Sequence, residues 1–151
     1  MAQIMLQDAF RKAGLKHVKV LSSGLSDEEY GNPIDRRAAK TLSKNGFSSA
    51  EKHRARVLNS GDLTDVDLAI PMTTYHARAL RQLATAEGVT PEIRMLRSFD
   101  PDAPVIPDVG DEYLLDVEDP WYGGQENFDE CFNQLQLAIP GIVEYVKEQV
   151  K

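Results

Sequence analysis

Ala2, Met5, Leu6, Ala9, Phe10 and Ala13 recur at three- and four-residue intervals with Gly14 behind them, which predicts an amphipathic helix with a glycine stop. No Ser, Thr, Asp or Asn precedes it to cap the free backbone donors of its first turn. Residues 17–21 alternate around Val18 and Val20 and predict a short strand, followed by a polar loop from Ser22 to Asn32. A second helix is predicted over 33–45, opening on Pro33, presenting Ala38, Ala39 and Leu42 on one face and stopping at Gly46. Residues 56–58 read as a connector. The apolar run 67–72 predicts a buried strand, Thr73 or Thr74 a helix cap with helix through about residue 86, and 92–96 a further strand. Residues 98–124 lose all periodicity and carry Pro101, Pro104, Pro107 and Pro120, so a long functional loop is expected there. Phe128, Phe132, Leu135, Ile139, Ile142, Val143 and Val146 then share one face of a last helix, in which Pro140 predicts a kink.

Alternation of strand and helix implies a parallel sheet. The 151 residues, 42% apolar and 27% charged, suit one domain with one core, spanning 1–151. A net charge of -7 opposes broad attraction to nucleic acid or to an anionic membrane. The charge is uneven: residues 36–56 hold Arg36, Arg37, Lys40, Lys44, Lys52, Arg54 and Arg56, while 108–119 hold Asp108, Asp111, Glu112, Asp116, Glu118 and Asp119. Both runs read as solvated faces. No apolar stretch approaches the ~18 residues of a membrane span. Cys131 is the only cysteine, which excludes an internal disulfide, a zinc cluster or a two-thiol relay and fits a reducing cytoplasm. His17, His53 and His76 lie too far apart in sequence to predict a metal site, and no cofactor motif is present.

The run Asp119-Pro120-Trp121-Tyr122-Gly123 carries the most chemistry. Proline holds the preceding residue extended, so Asp119 is expected as a rigid carboxyl beside an aromatic wall. Such a wall suits an aryl group, and a carboxyl against apolar surface keeps its proton more readily, as a general acid must.

This run resembles the general-acid loop of the low-molecular-weight protein tyrosine phosphatases. Ser22-Ser23-Gly24, Gly31-Asn32-Pro33 with Asp35, His53-Arg54-Ala55-Arg56 and Ser98-Phe99-Asp100-Pro101 fall in that family's order at comparable intervals, so the resemblance covers nearly the whole chain. It implies a three-layer α/β/α fold with a parallel sheet. It also implies hydrolysis of a phosphomonoester, from a phosphotyrosine protein or small aryl phosphate, through a cysteinyl-phosphate intermediate. Asp119 would be the general acid and then base, Trp121, Tyr122, Tyr30 and Glu28 would meet the substrate, and Ser22 and His53 would brace the phosphate loop. Two departures bear on substrate. Glu28 stands where an aromatic usually lines the cleft, with Tyr30 nearby, and Thr73 stands where tyrosine-specific members often carry aspartate.

The nucleophile is missing from this pattern. The family's phosphate loop is cysteine, five residues and arginine, whereas six positions after Cys131 stands Leu137. Met1-Ala2 is similar to the residues that follow that loop, so the first strand and the loop itself are expected upstream, cut off by an internal start codon or a deletion. The chain as given is therefore expected to be inactive. The alternatives are a catalytically dead binding module and a relative acting on phosphoarginine; arsenate reduction would need further cysteines.

Overall fold

The computed structural model describes residues 1–26, 28–48 and 52–151. Helix α1, Ala2–Lys12, buries Met5, Leu6 and Phe10, and its N-cap Met1 makes no side-chain capping bond. The α/β architecture is the expected one, with a narrower sheet. The strand expected at 17–21 does not form. Val18 and Val20 still pack against the main core, but the Val20 carbonyl accepts from the side-chain amides of Gln3 and Gln7 on α1 at 3.5 and 3.4 Å. Side chains thus take the place of a ladder. Pairing begins only at Gly24, whose amide donates to the Arg56 carbonyl and whose carbonyl accepts from Leu58, giving an isolated parallel bridge to Val57.

Helix α2 is Arg36–Lys44, shorter than expected, because Asp35 rather than Pro33 starts it: the Asp35 carboxylate accepts from the Arg37 amide at 2.7 Å. Pro33 lies outside, in a bridge to Arg54. Strands β1, Leu68–Ala69, and β2, Glu92–Ile93, pair in parallel with Leu68 opposite Glu92. The bonding outruns the strands, since Glu92, Arg94 and Leu96 donate to Asp67, Ala69 and Pro71. Between them α3, Thr74–Glu87, is capped by the Thr73 hydroxyl, which accepts from His76, and closed by Gly88 at φ 67°. A left-handed residue at that position releases the chain from the helix with least strain when it is glycine.

Residues 98–124 form an ordered segment of short 3₁₀ turns: Leu96–Phe99 leads into it, and Val109–Leu115 and Pro120–Tyr122 lie within it. The acidic run is not a uniform solvated face. Glu112 is buried, and both its oxygens accept from the Arg81 guanidinium on α3, at 2.8 and 3.0 Å. A charge can be held there because the bidentate fork replaces lost water.

Helix α4, Gln125–Gln149, continues through Pro140 as one element. Its buried face, Phe132, Leu135, Ala138, Ile142 and Val143, forms the main core with Met5, Leu6 and Phe10 of α1, Leu42 of α2, and Leu96, Phe99 and Val117. Phe47 meets Phe132 edge-on with centroids 5.9 Å apart. Gly141 lets the 3₁₀ turn approach: a Cβ there would stand 2.3 Å from the Phe99 carbonyl oxygen.

Candidate active site

The segment carrying Asp119 is tied down on both sides. Before it, Val117 donates to the Met72 carbonyl at 2.8 Å, and the Asp116 carboxylate accepts from the amide and hydroxyl of Thr74. After it, the Arg37 guanidinium donates to the carbonyls of Trp121 at 3.0 Å and Gly123 at 2.6 Å. Asp119 is extended, at φ -69° and ψ 116°, as the residue before proline should be. Its carboxylate accepts from the Trp121 amide at 2.9 Å, capping the turn Pro120–Tyr122. Rather than sheltering against the aromatic wall, the carboxylate is exposed and turned onto its own loop. Trp121 is 44% and Tyr122 91% exposed.

Burial pushes the half-buried Cys131 thiol up; the Met1 ammonium opposes this, and the charges of Asp119 and Glu130 add to it. The Met1 ammonium itself is lowered by burial. Burial lowers His53, with help from the same ammonium and from Arg54. His76 is also lowered by burial, while Asp119 and Asp116 pull it back up. The Ser22 hydroxyl donates to the Gln3 side chain on α1. Ser22 thus bonds directly to the first turn of α1, while His53 and Cys131 feel the Met1 ammonium and Cys131 also feels Asp119.

Glu28 and Tyr30 are exposed, Tyr30 at 67%. Among the described residues no hydrogen bond, ion pair or ring contact joins either of them to Asp119, Trp121 or Tyr122. Cys131 has the opposite of an activated environment, because a nucleophilic cysteine needs a lowered pKa and this thiol is raised. Among the described residues no cluster of three or more His, Cys, Asp or Glu could hold a metal ion, and no helix is long and apolar enough to cross a membrane.

Residues 1–151 match the family of low molecular weight phosphotyrosine protein phosphatases. The chain belongs to this family. A low molecular weight protein-tyrosine-phosphatase of Streptomyces coelicolor is 34% identical over 100% of this chain and 87% of its own length. Low molecular weight protein-tyrosine phosphatase A of Mycobacterium tuberculosis is 36% identical over 99% of this chain and 85% of its own. The crystal structure of Primo-1 superposes with a TM-score of 0.78 at 28% identity, over 99% of this chain and 89% of that one. That of a Drosophila arginine phosphatase gives 0.81 at 22% identity, over 97% and 88%, a likeness of fold.

Within this family member, sequence reasoning missed Arg37 and Gln3. Arg37 was placed on a solvated basic face, yet it is half-buried, paired with Asp35 at 3.1 Å, and stacked over the rings of Phe128 at 4.5 Å and Trp121 at 5.7 Å. One signal was available: an aspartate two residues before an arginine at a helix start is a geometry in which a cap can also hold a guanidinium.

Proposed function

We propose that this protein is a protein tyrosine phosphatase in which Asp119 is the proton donor, and that a polypeptide of these 151 residues alone performs no hydrolysis. The family match over residues 1–151 supports the phosphatase reading, and the run Asp119-Pro120-Trp121-Tyr122-Gly123 supports Asp119 as the donor. The second half rests on composition: the only cysteine is Cys131, with leucine where the phosphate-holding arginine would stand.

The chemistry needs a thiolate sulfur to bond to phosphorus as the phosphorus–oxygen bond to the phenol breaks. The phenol oxygen takes the proton of Asp119, and the resulting carboxylate then removes a proton from the water that frees phosphate and regenerates the thiolate. Backbone amides and an arginine would hold the equatorial oxygens. Trp121 and Tyr122, exposed beside Asp119, would stack on the aryl group, with Glu28 and Tyr30 farther along the cleft. Ser22 and His53 would brace the phosphate loop. The partner is a phosphotyrosine protein or a small aryl phosphate, met in the cytoplasm.

A second reading, a non-catalytic module that binds partners along Trp121 and Tyr122, is favoured by the exposure of both rings. Thr73, occupied with capping α3, keeps a phosphoarginine substrate as a variant of the first reading. The deciding experiment assays two polypeptides, these 151 residues and a version preceded by a strand and a Cys-x5-Arg loop, on an aryl phosphate and a phosphoarginine peptide. The first should stay at background and the second should turn over the aryl phosphate. Turnover by the first that disappears in Cys131→Ser overturns the inactivity, and silence from a folded second version overturns the enzyme reading.

A further inference from the structure

The guanidinium of Arg37 has an unusual set of partners for a surface helix. Its Nε and Nη2 donate to the two oxygens of Asp35 at 3.2 and 3.1 Å. Nη2 also reaches the Trp121 carbonyl at 3.0 Å, and Nη1 the Gly123 carbonyl at 2.6 Å. Four hydrogen bonds therefore leave one planar group, two back to its own helix cap and two across 84 and 86 residues of chain. The plane is held from the side by the rings of Phe128 and Trp121. Asp35 is itself fixed, because its Oδ1 accepts the Arg37 amide and caps α2.

Trp121 is in consequence gripped at both ends. Its carbonyl accepts from Arg37 and its amide donates to the Asp119 carboxylate. We propose that Arg37 is the positioning residue of the Asp119 loop: anchored on Asp35, it holds the Trp121 and Gly123 carbonyls and so fixes where the Asp119 carboxyl stands. Describing the held carboxyl as a proton donor rests on the proposed function; the latch itself does not. A fork of rigid N–H directions can serve three acceptors at once, while a lysine ammonium on a flexible stem cannot reproduce that set. Arg36, adjacent and exposed, makes none of these bonds and supplies the control.

Trp121 is the only tryptophan in the chain, so its fluorescence reports the loop directly. In Arg37→Lys, which keeps the charge and loses the fork, acrylamide quenching of Trp121 should rise about twofold with a red-shifted emission. Asp35→Asn, which retains a capping oxygen but weakens the anchor, should move the same way by less, and Arg36→Ala should match wild type. A purely architectural Arg37 would lower the melting temperature and leave the native-state quenching of Trp121 unchanged; that outcome overturns the proposal. Where the variants lose their far-UV helical signal, the wild-type protein decides through nitrogen-15 NMR of its arginine side chains. Separate, slowly exchanging Nη protons for Arg37 support the latch, and signals averaged like those of an exposed arginine overturn it. Neither readout uses hydrolysis, so the latch and the phosphatase reading can fail independently.

Discussion

The Asp116 carboxylate accepts from both the amide and the hydroxyl of Thr74, at 2.7 and 3.0 Å, and so joins the start of α3 to the segment that carries Asp119. A negative charge at a helix N-terminus also faces the positive end of the helix dipole.

Replacing Asp116 by alanine should therefore cost about 1–2 kcal/mol, as loss of a helix cap does. Urea unfolding checks this as a lower midpoint at constant slope. Asp116→Asn should retain a large part of the stability, because one acceptor oxygen survives.

In a version that bears a Cys-x5-Arg loop, Asp119→Ala should slow aryl phosphate hydrolysis at least ~10-fold, the lower end of general acid catalysis. The deficit should shrink for phenols of low pKa, which leave without a proton. Steady-state rates across a series of aryl phosphates measure it, and an unchanged rate for a poor leaving group removes Asp119 from the mechanism.

Gly141→Ala should destabilise the fold even though alanine is the better helix former. The new methyl would meet the Phe99 carbonyl oxygen at 2.3 Å, a backbone atom that has no rotamer to escape through. Overpacking of this kind costs about 1–3 kcal/mol, against the ~1 kcal/mol that alanine gains over glycine in a helix. A net drop in melting temperature is expected, and a rise would show that the turn moves aside freely.

Acid should weaken the fold in two stages. His53 and His76 are both held below their ordinary 6.5, chiefly by burial. The folded state thus binds fewer protons than the unfolded chain, so their contribution is complete above pH 6.5 and is lost as pH falls from there toward the lowered values. A second loss follows below the ordinary carboxylate value of 3.8, where Asp35, held down chiefly by its bond to Arg37, takes up its proton. Melting temperatures between about pH 7.5 and 5 trace the first stage. His76→Gln should flatten it in part.

The helices and the extended backbone at Asp119 were legible because their signals are local. The 3.6-residue spacing marked Met5, Leu6 and Phe10, Thr73 offered a cap for α3, and proline set the backbone of Asp119. The strand at 17–21 was misread because alternation records only which side chains can face a core. The Val20 carbonyl found its donors in Gln3 and Gln7, which no strand pattern encodes. Arg37 and Glu112 were hidden inside charge runs for the same reason: their partners, the carbonyls of Trp121 and Gly123 and the guanidinium of Arg81, are distant in sequence.

Because Val117 and Asp116 moor one side of the Asp119 segment and Arg37 moors the other, only residues 118–120 lie between the two moorings. An arch that short has too little slack to sweep over an arriving molecule. Catalysis built on it would act on substrates that fit the loop as it stands, and loop closure should add no viscosity dependence of its own to the rate.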